Sequence, residues 1–457
     1  MGHLLMVESW VGSMSTLLPA AIAQGGHRFT FLTRNLHHYL RSAPGTGPHP
    51  LLGADNVVTA ETNDPDTLLP YVERLNDVLR FDGVLTSCDY YLPVAAAAAE
   101  RLGLPGPASA AVHTACRKDL TRLALAKAGV PGPRFALCPD PAEAPARAAE
   151  LGYPLVVKPV DLCAGMLVRR VADERQLAEA ISALDAFPVN ARGQRRSPLV
   201  LLEELLEGPE VSVETVAFDG ATHVVGVTDK TLAGDDRFIE AGHMFPAALD
   251  PADARAAAET ALAALAAVGL DHGVAHTEIR LTAAGPRVVE INPRPAGNRI
   301  TELVRHVTGI DLAAAFAETA LGRAPDLTPR DTGTRSAAIA FLVPRRGGTL
   351  AEVAGADELD APEPARLLEV HVAAPGRSVR AATSNNDYLG HVMVADTAGA
   401  GAGEHAARLL AGLTPRWADA DPDGGTGPDG PAGTAGGAGT GLAATGAAGH
   451  DVVAAAR

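Results

Sequence analysis

The stretch TEIRLTAAGPRVVEINPRPAGNRI, residues 277–300, restricts what this chain can become more than any other part of it. Two runs of alternating apolar and polar residues flank Ala283-Ala284-Gly285, the pattern of a β-hairpin. Glu278 falls on the first strand. Glu290, Asn292 and Arg294 alternate on the second, so the period of two puts them on one face. The neighbouring residues are strongly apolar and look buried, and a charge in that setting is costly unless paired or metal-bound. Any one of these residues alone reads as the solvated side of a strand; the set does not. Two carboxylates and a carboxamide are hard oxygen ligands suited to Mg²⁺, completed by substrate phosphates. An arginine beside them can neutralise charge developing on a transferred phosphoryl group.

Before this hairpin the chain alternates short apolar runs with helix-length segments. Residues 3–9, 27–33 and 82–87 read as strands and 56–60 as a weaker one. Helices run to Gln24, from an Asp/Pro start over 64–77, and to Leu102. The alternation indicates a parallel, doubly wound sheet. It contains no GxGxxG, so dinucleotide binding has no support. From about residue 115 the pattern becomes α+β. A helix over 118–129 precedes strands at 155–160 and 166–171, a helix over 173–186, a polar loop at 189–198 and a strong strand at 199–205. Residues 210–218 and 222–229 alternate around Asp219-Gly220, a good two-residue hairpin turn. A helix over 251–269 leads into the carboxylate hairpin; residues 300–321 read as helical and 335–396 as a small α+β module. After Trp417, Gly, Ala, Asp, Pro and Thr dominate, and such a tail buries too little apolar surface to offset its ordering entropy, so disorder is expected.

Composition excludes several classes of function. A formal charge of −16 argues against a nucleic-acid binder that relies on phosphate attraction. Cys88, Cys116, Cys138 and Cys163 show neither CxxC pairing nor a disulfide framework. The N-terminal apolar stretch lacks a basic region and is interrupted by Glu8, so a buried strand and helix are expected rather than a signal peptide. The run Ala95–Ala99 is too short to span a bilayer. The expectation is a cytoplasmic protein with neither membrane nor nucleic-acid partners.

Only four of the 38 basic residues are lysines: Lys118, Lys127, Lys158 and Lys230. A coding bias toward arginine is the bland account, yet ammonium and guanidinium are not interchangeable. Lys158 ends the buried strand in GYPLVVKPV, where a charge needs a phosphate or carboxylate partner unless it snorkels to solvent. Lys118, at a helix start, is uninformative alone, and Lys127 is assigned to solvent. The run VLLEELLEGPEVSVE can present backbone N–H and C=O groups to a purine edge. Glu203 would then accept from the exocyclic amine and Glu210 from ribose hydroxyls, although isolated acidic residues ordinarily sit on the surface.

Taken in order, Lys118, Lys158, the run Glu203 to Glu210, Glu278 and Glu290-Ile291-Asn292-Pro293-Arg294 resemble the ATP-grasp superfamily. The resemblance covers about residues 115–325, with a preceding segment similar to the family's N-terminal domain. It implies an α/β and α+β fold: a Rossmann-like parallel α/β domain over 1–113, then ATP-grasp subdomains over 114–204 and 205–330. A small C-terminal α+β module over 331–415 and a disordered tail over 416–457 would follow. ATP would lie between the subdomains, with Lys118 and Lys158 on the phosphates. Glu203 and the backbone of Glu204 and Leu206 would take the adenine, and Glu210 the ribose. Glu278, Glu290 and Asn292 would ligate two Mg²⁺ or Mn²⁺ ions, and Arg294 would stabilise acyl-phosphate and tetrahedral intermediates. One departure stands out. Many members have a Gly/Ser-rich phosphate flap after the second lysine; here it is Asp161–Met166, with a single glycine. Cys163 within it has no identifiable base and is assigned to the flap rather than to nucleophilic chemistry.

Within the superfamily the chain looks most like carboxylate–amine ligases that join amino acids, on VTDKTL, Glu240–Pro246 and the Pro-Ala-Gly-Asn-Arg run after Arg294. The resemblance implies that Lys230 meets the γ-phosphate or a substrate carboxylate and that Glu240 and His243 line the acceptor pocket. Gly297 and Asn298 would permit close backbone approach where an oxyanion hole is needed, and Arg299 would clamp a carboxylate bidentately. The implied substrates are a small-molecule carboxylate and an amine, joined through an acyl phosphate in specialised metabolism, with a homodimer as the default assembly. The alternative within the superfamily is a carboxylase or purine-pathway-like ligase using bicarbonate or formate; no Met-Lys-Met biotinyl-carrier signature occurs. A non-catalytic nucleotide-binding subunit is a third reading, opposed by the intact set of Lys158, Glu278, Glu290, Asn292 and Arg294.

Overall fold

Strands β1 (His3–Val7), β2 (Arg28–Thr33), β3 (Asn56–Thr59) and β4 (Gly83–Leu85) form a parallel sheet in the order β3-β2-β1-β4. Every residue of β1 is buried, as expected for a strand covered on both faces, whereas edge strand β3 alternates. The computed structural model describes residues 1–9, 11–40, 48–233 and 238–418. The helix Met14–Gln24 connects β1 to β2, Pro65–Leu79 connects β3 to β4, and Leu92–Leu102 follows β4. Asp64 starts the second of these by accepting from the amide of Asp66, and Gly103, at φ 66°, ends the third. The doubly wound α/β expectation for the N-terminal part is met.

Two antiparallel sheets follow. β5 (Phe135–Cys138), β6 (Leu155–Pro159), β7 (Arg169–Val171) and β8 (Val200–Glu204) make a small sheet in the order β5-β8-β6-β7. The helices Ala144–Leu151 and Glu174–Asp185 pack on it through Ala148, Leu177, Ala180 and Leu184. The larger sheet is built from β9 (Glu210–Phe218), β10 (Ala221–Ala233), β11 (Ile239–Phe245), β12 (Gly273–Thr282) and β13 (Gly285–Asn292). It continues without a break into β14 (Ser336–Phe341), β16 (Ala365–Val372) and β18 (Gly390–Asp396), giving eight strands in the order β13-β12-β9-β10-β11-β14-β18-β16. The segment expected as a separate C-terminal module therefore shares a hydrogen-bonded ladder with the carboxylate hairpin. A third sheet holds β15 (Gly348–Ala354), β17 (Ser378–Val379) and β19 (Thr414–Trp417).

The structure departs locally from the sequence reading. Residues Ile239–Phe245, given no element above, form β11; Gly242 and the irregular pairing of β10 and β11 between Thr231 and Leu232 hide its alternation. The helix Ser109–Cys116 was not foreseen. The helical stretch 300–321 is two helices, Ile300–Thr308 and Leu312–Ala320, separated at Gly309 by its left-handed φ of 73°. Residues 416 and 417, expected to open the tail, belong to β19, and 419–457 lie outside the described residues. No described helix is long and apolar enough to cross a membrane.

Candidate active site

The apolar side of the large sheet packs on helix Pro251–Val268, with Val211, Val213, Val227 and Ile279 against Ala257 and Ala261. Since side chains alternate across a strand, the residues between these apolar ones all face the other way. Strand register arranges them in three rows. Lys230, Glu210, Arg280 and Arg287 stand opposite one another across β10, β9, β12 and β13. The next row is Thr228, Ser212, Glu278 and Glu290, and the third is Gly226, Glu214, His276 and Asn292. The paired-strand register thus brings Glu278 directly opposite Glu290, while Arg294, expected on the same strand, lies just beyond the end of β13.

This polar face floors a cavity of about 830 Å³, a volume suited to a nucleotide with a small partner. Lys118, Lys158, Glu203, Glu204, Leu206 and Glu210 line it together with Glu278, Glu290, Asn292 and Arg294, and Glu240, Gly297, Asn298 and Arg299 line it further along. Of the expected site residues only Lys230 and His243 do not. Lys230 is 3 % exposed beneath the floor, its ammonium 3.1 Å from Glu210, 3.0 Å from Glu240 and 2.7 Å from Glu278. Three carboxylates surround the buried ammonium, so Lys230 is an ionic hub rather than a group presented to phosphate. His243 is 2 % exposed, edge-on to Phe341, with Nε2 3.1 Å from the Glu240 carboxylate. It stands behind Glu240 because β11 carries it into the sheet.

Of the remaining three lysines, two line the cavity and one does not. Lys127 is exposed. Lys118 Nζ lies 2.8 Å from Glu290 and donates to the Leu162 carbonyl at 2.7 Å. Lys158 Nζ lies 2.7 Å from Glu203 Oε2, while Arg122 Nε donates to Glu203 Oε1 at 2.6 Å. Glu203 is therefore the shared counter-ion of two buried cations, a departure from the expected purine contact. Burial pushes its carboxyl up, but Arg122 and Lys158 prevail and hold it at about 2. Burial also holds Lys158 below the usual lysine range, against the pull of Glu203. Lys118 is held above that range because Glu290 outweighs the cost of burial. The carboxylate of Glu204 is likewise engaged, 2.7 Å from Arg134. What remains beside these side chains is the backbone of Leu205–Glu207, which follows β8 and lies in no strand.

Glu210, expected at a ribose, pairs with Arg280 at 2.5 Å as well as with Lys230. His276 joins two carboxylates, Nδ1 lying 3.0 Å from Glu214 and Nε2 3.3 Å from Glu278. Burial lowers its imidazole, but Glu214 and Glu278 push it up to about 9. Burial raises the Glu278 carboxyl, yet Lys230 and His276 hold it well below the usual range. Among the described residues no three His, Cys, Asp or Glu side chains form a ready-made metal cage. The oxygen set Glu278, Glu290 and Asn292 is open-sided: a cation there would take its other ligands from phosphate or water.

Residues remote in sequence complete the cavity. Asp89, after β4, grips Arg294 bidentately, with Nε at 2.6 Å and Nη2 at 3.0 Å. Arg299 is held by Glu302 at 2.8 Å and Glu369 at 2.7 Å. Asn298 donates to the Glu240 carboxylate, and Asn298 and Arg299 are both left-handed, at φ 48° and 68°. No atom lies within 4 Å of the position a Cβ at Gly297 would take, so crowding does not demand glycine there. From the C-terminal part, Tyr388 stacks on Phe341 at 4.3 Å and donates to the Glu240 carbonyl at 2.8 Å. In the flap Ala164 and Gly165, and just after it Leu167, are left-handed, at φ 57°, 68° and 59°. The turn is thus made largely without glycine, at a local cost of order 1 kcal/mol or more per non-glycine position. The flap is tied down where Ala164 O accepts from the amide of Asn385 at 3.3 Å. Burial pushes the Cys163 thiol up to about 12, against a nucleophilic role.

Residues 151–302 match the model of the ATP-grasp domain, 20–106 that of the ATP-grasp N-terminal domain, and 340–418 that of L-amino acid ligase C-terminal domain 2. The chain is 30 % identical over 336 residues to an uncharacterized protein of Sinorhizobium fredii, covering 74 % of this chain and 68 % of that one. It is 32 % identical over 268 residues to carnosine synthase 1 of Homo sapiens, covering 55 % of this chain and 32 % of that protein, so it spans about a third of the latter's length. The crystal structure of an L-amino acid ligase from Bacillus licheniformis shares the fold, with a TM-score of 0.74 at 23 % identity over 92 % of this chain and 99 % of that one.

Proposed function

Because this chain belongs to the ATP-grasp superfamily, among the relatives of its carboxylate–amine ligases, we propose that it is an ADP-forming ligase joining an amino acid or other carboxylic acid to an amine. The observation that carries this is the convergence on one cavity of Lys118, Lys158, Arg294 and the oxygen donors Glu278, Glu290 and Asn292. Lys118 lies 2.8 Å from Glu290, and Asp89 holds Arg294 in place.

Glu278 and Glu290 suit Mg²⁺ or Mn²⁺. Both are half-buried carboxylates on the cavity wall, and each already draws cations, Lys230 and His276 to one and Lys118 to the other. With Asn292 they would hold the metal, proposed as two ions, which supplies charge neutralisation to the ATP phosphates. Lys118 and Lys158 would bind those phosphates, and the backbone near Glu204 and Leu206 the adenine. Glu203 would keep Lys158 charged and in place. The Ala164-Gly165 turn would cover the phosphates and exclude water.

In the proposed reaction the substrate carboxylate oxygen attacks the γ-phosphorus of ATP, the bond to the bridging oxygen breaks, and ADP leaves. The amine nitrogen then attacks the acyl-phosphate carbonyl, loses a proton and expels inorganic phosphate, leaving an amide. Arg294, oriented by Asp89, would meet the negative charge on the acyl phosphate and on the tetrahedral oxygen. Glu240, Asn298 and Arg299, backed by His243 and Tyr388, would form the end of the cavity that recognises the second substrate. The proposed setting is cytoplasmic specialised metabolism and the proposed assembly a homodimer.

The test is ADP release with amino acids supplied singly and in pairs, with mass spectrometry of the products. ADP formed only with a pair, together with a dipeptide, supports the proposal. ATP turnover unaffected by Glu290→Ala would remove the site assignment.

A further inference from the structure

We propose that Glu214 and His276 are positioning residues that divide the work of the two Glu278 oxygens, anchoring Oε1 to the protein and leaving Oε2 for the divalent cation. The inference rests on the reading of Glu278 as a metal ligand.

Glu214 is fully buried on β9, directly across the ladder from His276 on β12. Its Oε1 accepts from Ser212 Oγ at 2.7 Å and Thr228 Oγ1 at 3.3 Å, and the His276 Nδ1 lies 3.0 Å from Oε1 and 3.1 Å from Oε2. The carboxylate is thus fixed from three sides, and it fixes the imidazole in turn. The other ring nitrogen, Nε2, reaches Glu278 Oε1 at 3.3 Å, the same oxygen that Lys230 meets at 2.7 Å. Both cations converge on Oε1. A carboxylate held this way at one oxygen keeps its plane and offers the second oxygen in a fixed direction. Outer partners of this kind are known to set metal affinity. Glu278 stands directly opposite Glu290, so a rotation of its carboxylate would also change the spacing between the two proposed ligands.

The experiment is a Mn²⁺ titration of the whole protein with saturating ADP, followed by the electron paramagnetic resonance signal of free Mn²⁺, alongside ADP affinity measured without metal. His276→Phe keeps a ring of similar size and loses both contacts. It is expected to weaken Mn²⁺ binding about 10- to 100-fold and to leave metal-free ADP affinity within twofold. Glu214→Gln, which retains an acceptor for Ser212, is expected to shift Mn²⁺ affinity the same way and carries the test if His276→Phe does not fold. His276→Gln, able to donate to Glu278 alone, is expected to recover part of the loss. Mn²⁺ affinity unchanged in a folded variant, or an equal loss of metal-free ADP binding, would overturn the positioning role. If the unsubstituted protein shows no saturable Mn²⁺ binding, the metal-site reading itself falls.

Discussion

Glu203→Gln removes a carboxylate that lies 2.6 Å from Arg122 and 2.7 Å from Lys158, with all three side chains buried. A carboxyl held at about 2 rather than its ordinary 4.5 contributes about 3 kcal/mol to stability. That agrees with the roughly 3–5 kcal/mol lost when one partner of a buried ion pair is removed. Glutamine fills the space but leaves two cations facing each other. Because the folded pKa is depressed, this contribution is fully present above about pH 4.5 and disappears as pH falls toward 2. Denaturant unfolding of both proteins should therefore show a gap of about 3 kcal/mol at pH 7 that narrows as the pH drops through that window. The same variant should raise the KM for ATP about tenfold or more, since Lys158 loses the group that holds it. Its preference for ATP over GTP should not move. Unchanged stability at pH 7 together with lost discrimination between ATP and GTP would refute this account and return Glu203 to the purine edge.

Other perturbations have equally definite outcomes. Lys158→Arg preserves charge but puts a second wide guanidinium beside Arg122, and ATP turnover should fall at least tenfold; unchanged turnover would reduce the scarcity of lysine to coding bias. Lys230→Met leaves Glu210, Glu240 and Glu278 without their shared cation and should cost about 3–5 kcal/mol in urea unfolding, with Glu240→Gln restoring part of it. Asp89→Asn keeps one hydrogen bond to Arg294 but loses the charged fork. It should lower kcat about 10- to 100-fold with little change in the ATP KM, measured by steady-state ADP release.

The hairpin of Glu278 and Glu290 was legible in the sequence because period-two alternation inside an apolar stretch is a local signal, and the parallel N-terminal sheet because short apolar runs alternate with helix-length segments. The supporting residues were not. Arg294 meets Asp89 across 205 positions, and Arg122 meets Glu203 across 81. Neither Asp89 nor Arg122 carries any local mark of its partner. Glu240 and His243 were picked from a motif, but their roles depend on β11, whose glycine and irregular pairing obscure it. Lys230 was rightly singled out as unusual. Its burial among three carboxylates follows from the register of β9, β10 and β12, which no single strand encodes.

The unbroken ladder from β13 to β16 has a consequence for anyone seeking a minimal fragment. Cutting the chain near residue 330 would strip β14 from β11 and lay bare the backbone donors and acceptors of Gly242–Phe245, together with the apolar faces that Ala337 and Ile339 cover. An unprotected interior strand of this kind templates pairing with other molecules. Such a truncation should yield insoluble aggregate instead of a small ATP-binding unit, and shortening that leaves every strand paired must begin beyond Trp417.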